Sequence, residues 1–324
     1  MKKTLVALAV LAAAGSVNAA EVYNNDGVSV SVSGAGEVQY IQKYEQTGTD
    51  VSPEVRVDDA QINVTVGVDV SEDLTALAGL NQTFETDNDS TSRTVSSDGA
   101  FVGLASATLG TVTFGDQYLI ADDAGIGADF EVGYNQYGQA DTQSSDVIKY
   151  VYDNGEFYFG LSHNLDENDT ATTGDTHSTD GRIGYRVGGL DARLYVFKGT
   201  DASANDEDSY NLEAVYTFND AWSMAASYGN TKIETSANVE TTDANYAEIN
   251  ATYTVDKNSF SLGYAYYDED VANVSSSNLY GVVVHKLNAN VRAYAELGYV
   301  DYDNNSNTNE DMDLAYTVGM EVSF

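Results

Sequence analysis

DLAYTVGMEVSF, residues 313–324, decides the fold. Leu314, Tyr316, Val318, Met320, Val322 and Phe324 fall on one face of an extended chain. Asp313, Ala315, Thr317, Gly319, Glu321 and Ser323 fall on the other. Strict alternation is the mark of a strand with one apolar face. A half-buried strand of a soluble sandwich alternates in the same way, so the decision rests on repetition. Val28, Val30, Val32, Val38 and Tyr40 alternate with Ser29, Ser31, Ser33, Glu37 and Gln39. Ile62, Val64, Val66 and Val68 alternate with Gln61, Asn63, Thr65 and Asp69. Further runs lie near 74–86, 98–107, 111–117, 146–153, 156–163, 177–188, 190–199, 208–218, 221–234, 244–255, 258–268, 277–287 and 290–302. Their number, about sixteen, is even and within the range of outer-membrane barrels.

The connections sort by length. Ser71-Glu72-Asp73, Leu109-Gly110, Asn154-Gly155, Gly188-Gly189, Asn219-Asp220, Asp256-Lys257 and Asn288-Ala289 are tight turns of turn-forming residues. Between them fall longer acidic or Ser/Thr/Asn-rich links near 44–53, 87–97, 118–145, 164–176, 200–207, 235–243, 269–276 and 303–312. Short turns on one rim and long loops on the other are expected of a membrane barrel. An open sheet of this size also exposes two long edges. The expected fold is therefore all-β, a transmembrane antiparallel barrel. Tyr40, Tyr185, Trp222, Tyr253, Tyr264, Tyr266 and Phe324 sit on outward faces, as interfacial aromatic girdles do.

Composition agrees. Residues 1–19, MKKTLVALAVLAAAGSVNA, have the basic start, apolar core and small-residue end of a secretory signal peptide. Residues 20–324 then form the barrel. The chain carries 14 basic and 51 acidic side chains, a net charge of −37. Without Lys2 and Lys3 the balance is 12 against 51, or −39. Such a charge opposes nucleic-acid binding, which needs a positive face. It favours cations. Cys is absent, so no disulfide contributes. Mean hydropathy is −0.31, but barrel strands escape hydropathy scans because alternate residues face water.

The link 118–145, YLIADDAGIGADFEVGYNQYGQADTQSS, is too long for a plain connection. It carries Asp122, Asp123, Asp129, Glu131 and Asp141 and no Lys or Arg. The expectation is that it folds inward as a constriction.

With these features in hand, the chain resembles the general trimeric porins of Gram-negative outer membranes over essentially all of residues 20–324. The most specific matches are Ala20-Glu21-Val22-Tyr23-Asn24 with Asp26-Gly27, Asp73-Leu74-Thr75, Ala100-Phe101-Val102-Gly103-Leu104 and the terminal Val322-Ser323-Phe324. The resemblance implies a homotrimer in contact with lipid and lipopolysaccharide, and a terminal Phe324 read by the barrel assembly machinery. It also implies an inward third loop at 118–145. The family's Pro-Glu-Phe-Gly-Gly stretch is missing there. Asp129-Phe130-Glu131-Val132-Gly133 is the nearest equivalent, making Asp129 and Glu131 the expected acidic constriction residues. At the family's basic wall positions stand Ala35, Gln61, Asp98 and Ser145. A mostly negative constriction follows as the expectation, set by Asp98, Asp122, Asp123, Asp129 and Glu131, with Lys149 the nearest inward base. Arg182, Arg186, Arg193 and Arg292 also point inward by parity and are placed mostly toward the short-turn rim.

The expected function is passive diffusion of small hydrophilic solutes and ions through a water-filled, cation-preferring channel. Two alternatives are a sugar-selective channel, with Tyr246, Tyr267 and Tyr294 along its lumen, and an adhesin or phage-receptor barrel with an incidental pore. An enzyme is not expected. His163, His177 and His285 include only one pairing of note, Asp175-Thr176-His177, and neither a nucleophile elbow nor a zinc-spaced His pair is present. No cofactor is implied. Asp206-Glu207-Asp208 and Asp268-Glu269-Asp270 offer oxygen ligands for loosely held Ca²⁺ or Mg²⁺, although a solvated charged face is the plainer account.

Overall fold

The computed structural model describes residues 19–45, 52–84, 95–138, 142–167, 176–201, 203–304 and 309–324. The expected signal peptide therefore lies outside the described residues except for Ala19, as does Asp141.

One antiparallel sheet holds all the strands. The first are β1 (Ala20–Asn25), β2 (Val28–Gln42), β3 (Glu54–Asp69), β4 (Leu74–Thr83), β5 (Ser96–Ser106) and β6 (Gly110–Tyr118). After the long link come β7 (Gln143–Asp153), β8 (Phe157–Glu167), β9 (Thr176–Val187), β10 (Leu190–Thr200), β11 (Asn205–Asn219) and β12 (Trp222–Thr235). The last are β13 (Glu240–Val255), β14 (Asn258–Glu269), β15 (Val274–Lys286), β16 (Val291–Asp303), β17 (Asn309–Asp311) and β18 (Ala315–Ser323). Each strand from β2 to β16 pairs with the next. β16 also pairs with β18, and β18 pairs back onto β2, with Tyr316 opposite Gln42 and Ser323 opposite Ala35. The wall is thus a closed ring of sixteen antiparallel strands. The short β17 only extends the end of β16.

β1 and β18 share one edge of β2. β18 takes Ala35–Gln42, while β1 takes the remainder, from Ala20 opposite Val32 to Asn25 opposite Val28. Between them Phe324 N–H donates to the Gly34 carbonyl at 2.9 Å and Gly34 N–H to the Phe324 carbonyl at 2.8 Å. In hydrocarbon an unpaired backbone edge costs several kcal/mol per group, and this seam removes it.

Burial is inverted relative to a soluble protein. On β2, Glu37 and Gln39 are 3% and 1% exposed, while Val38 and Tyr40 are 48% and 44% exposed. On β11, Asn211 and Glu213 are buried while Tyr210 and Leu212 are exposed. Apolar side chains outward and polar ones inward suit a wall between lipid and an aqueous lumen.

The tight turns fall where the sequence places them. Asn154 Oδ1 accepts the N–H groups of Glu156 (3.1 Å) and Phe157 (2.8 Å), and Gly155 supplies the positive φ of +95°. Asp26 (φ 52°) and Gly27 (φ 75°) join β1 to β2 in the two-residue geometry that follows strand twist. On the other rim the links at 200–207, 235–243 and 269–276 are shorter than the sequence suggests, because β11, β13 and β15 begin at Asn205, Glu240 and Val274. Above the membrane, backbone pairing continues without an apolar face to announce it.

Candidate functional site

Residues 119–138 leave β6 and cross the inner side of the wall. A single 3-10 turn, Ile120–Asp123, starts the path. Leu119 and Ala121 bury themselves with Val147 of β7 and Phe197 of β10. From there the backbone is held by inward polar side chains of successive strands. Ser162 of β8 accepts Ile120 N–H at 2.8 Å, and Asp180 of β9 accepts Ala121 N–H. Glu213 of β11 accepts Gly125 N–H at 2.6 Å. Asn250 of β13 donates to the Ile126 carbonyl, and Tyr280 of β15 accepts Ala128 N–H at 3.1 Å. Glu296 of β16 accepts the N–H groups of both Phe130 and Glu131. Asn278 of β15 accepts Tyr134 N–H at 3.1 Å. A loop in an enclosed site needs partners for its backbone groups; here the wall provides them, in good part as carboxylates.

Tyr44, just past β2, lies over Gly298, where a Cβ would collide with its hydroxyl. That hydroxyl donates to the Val132 carbonyl at 2.8 Å and accepts from Asn278 Nδ2 at 2.8 Å. Burial pushes the Tyr44 phenol up, against the opposing pull of the Asn278 bond. Val132 itself packs with Tyr280, Val282 and Ala315.

The expected constriction acids are brought onto or beside this segment, but several have partners. Glu131 Oε1 lies 2.5 Å from Arg56 Nη2 of β3 and 3.0 Å from Gln39 Nε2 of β2. Asp123 Oδ2 lies 2.7 Å from Arg182 Nη1 of β9. Asp129 folds back on its own loop, accepting Gly133 N–H at 2.6 Å and Gln136 Nε2 at 2.9 Å. Asp122 stands exposed beside Asp123. Asp98 accepts the Tyr118 hydroxyl at 2.5 Å, and Lys149 Nζ donates to the Tyr118 carbonyl at 2.6 Å. Tyr118, where the segment departs from β6, thus holds one of them at each end.

Two sequence expectations need correction. Ala35, Gln61, Asp98 and Ser145 do leave the family's basic positions without a base, yet Arg56 supplies one at Glu131. Its signal is hidden in the sequence, because the bulge at Asp59 (φ 45°) reverses parity, so that extending the alternation of Ile62–Val68 backward would turn Arg56 outward. Arg182 and Arg193, expected toward the short-turn rim, instead reach the loop. Arg182 meets Asp123, and Arg193 pairs with Glu213 and reaches the Gly125 carbonyl at 3.4 Å. Arg186 does sit beside the Gly188-Gly189 turn, held by Asp153 and Asp191 at 2.8 and 3.2 Å. The wall carboxylates Asp180, Glu213 and Glu296 escape sequence reasoning as loop anchors. Their inward parity is readable, but not which backbone crosses them.

Of the lumen tyrosines, Tyr246 contacts Tyr267 (centroids 5.3 Å apart) and Tyr137 of the loop (5.5 Å). Tyr294 lies elsewhere, stacked on Phe130. These rings pack loop against wall and do not form one continuous slide.

The comparisons with known proteins agree with this architecture. The family described as Gram-negative porin matches residues 4–305. Porin-like protein H of Photobacterium profundum is 37% identical over 344 aligned residues, covering 100% of both chains. Among solved structures, the anion-selective porin from Comamonas acidovorans superposes with a TM-score of 0.74 at 19% identity, over 92% of this chain and 100% of that one. In vitro folded OmpT of Vibrio cholerae, in its trimer form, gives 0.75 at 18% identity over the same shares. At such identities the structures attest the fold.

Proposed function

The chain belongs to the Gram-negative porin family and is a non-enzymatic outer-membrane channel, and we propose that its lumen prefers cations and passes small hydrophilic solutes by passive diffusion. In this reading residues 119–138 are the constriction, and the passage runs between them and the wall of β4 to β6. The observation that carries it is the absence of any Lys or Arg on β4, β5 and β6. The bases near the loop lie on other strands, and Arg56, Arg182 and Arg193 are each engaged by a carboxylate. Asp98 and the exposed Asp122 then line a passage to which β4 to β6 bring no base, while Asp123 is offset by Arg182. A negative lining concentrates cations and repels anions.

The test is the reversal potential of the purified protein in planar bilayers under a KCl gradient. Cation preference is expected, and an anion preference would discard the proposal. The reading extends to a homotrimer, supported by the trimeric form of OmpT from Vibrio cholerae, to an N-terminal export signal at residues 1–19, and to recognition of Phe324 during assembly. Lipopolysaccharide contact at the outer rim belongs to the same reading.

A further inference from the structure

Phe130 is gripped from one strand. Arg292, Tyr294 and Glu296 occupy alternate positions of β16, so all three project to the same side. The Arg292 guanidinium carbon lies over the Phe130 ring, 4.6 Å from its centroid. Tyr294 stacks on that ring with centroids 3.9 Å apart and planes 11° from parallel. Glu296 accepts the N–H of Phe130 with one carboxylate oxygen and that of Glu131 with the other.

The gripping residues are themselves fixed from neighbouring strands. Arg292 Nε donates to Glu321 of β18 at 3.1 Å, and the Tyr294 hydroxyl donates to Glu37 of β2. A stacked ring with a cation over it is held both by area and by quadrupole electrostatics, and the strand beneath has little freedom. Immediately after this seat the chain sends Glu131 to Arg56 and Gln39.

We propose that Phe130 is the positioning residue of the loop tip: its ring indexes residues 129–132 on β16 and thereby sets where Glu131 stands in the passage. Phe130 carries no charge, yet through Glu131 it governs pore width and selectivity. This rests on the channel reading above, in which the loop is the constriction.

The experiment compares wild type, Phe130→Ala, Phe130→Tyr and Arg292→Met by single-channel recording in planar bilayers. Heat-modifiable gel mobility confirms a folded barrel in each. Phe130→Ala is expected to raise conductance, add open-state current noise and shift the reversal potential. Phe130→Tyr, which keeps the stack, restores all three, and Arg292→Met falls between. Wild-type conductance, noise and reversal potential in Phe130→Ala would overturn the proposal, as would a Phe130→Tyr variant indistinguishable from Phe130→Ala. Should Phe130→Ala not assemble, Phe130→Leu, which keeps bulk without stacking, is read by the same criteria. An anion-preferring wild type sinks the charge assignment alone, because conductance and noise report the tip's position whatever the sign of selectivity.

Discussion

Strands β4 to β6 and strands β9 to β10 treat charge in opposite ways. The first group has neither Lys nor Arg. The second carries Arg182, Arg186, Arg193 and Lys198, each paired with a carboxylate: Asp123, Asp153 and Asp191, Glu213, and Asp208 respectively. A base placed against a wall or loop needs a partner. Pairs such as Arg193–Glu213 serve to hold the loop and leave little net field behind. The wall without bases has nothing to cancel its acids. Sidedness of charge within the lumen, and not the net charge of the chain, is what the comparison teaches about selectivity.

The strongest way to break it is Arg193→Met. Glu213 is buried, and breaking a buried pair by removing one partner costs about 3–5 kcal/mol, whether the carboxyl stays charged or takes up a proton. Equilibrium denaturant titration in lipid vesicles should show that loss; a change near zero would mean the pair is incidental. Next in size are Val196→Lys on β10 and Phe114→Lys on β6, both exposed on the lipid face. Each should cost about 2–4 kcal/mol if it lies near the bilayer midplane. The two costs should match, because the asymmetry belongs to the lumen alone, and a clear disparity would show it reaching the outer face.

Arg182→Met should cost only about 1 kcal/mol or less, since Asp123 remains half-exposed to water. Its value lies in the reversal potential, which should move further toward cations. The smallest stability effect, within about 0.5 kcal/mol, is expected of Asn81→Arg on β4. Yet this variant sharpens the contrast most directly, since it puts a base on the wall that lacks them. Its reversal potential should move toward anions, and an unchanged value would place the passage elsewhere.

How much of this the sequence discloses depends on whether the cause is local. β18 and β2 are legible because lipid on one side and water on the other impose a period of two on every residue. The Asn154-Gly155 and Gly188-Gly189 turns are legible because their backbone geometry selects residue types. Arg56 is not, since the bulge at Asp59 reverses the phase of the alternation, and parity carried back from Ile62–Val68 points the base outward. The depth of Arg182 and Arg193 is lost for a different reason. Distance from a turn locates a residue along its own strand, whereas meeting the loop depends on strand tilt and on the loop's path. The anchors Glu213 and Glu296 illustrate the same limit: an inward acid is readable, but its partner is a backbone N–H more than eighty residues away in the chain.

The seam at β2 also governs when the pore can come into being. The strand that closes the cylinder, β18, docks on β2 far back in the chain, with Phe324 bonded to Gly34. A nascent or C-terminally clipped chain therefore presents two raw borders and holds no sealed duct, however many hairpins it has already made. Such contacts between chain ends are the slowest kind to find. Water and solutes are therefore denied a sealed path until β18 has met β2.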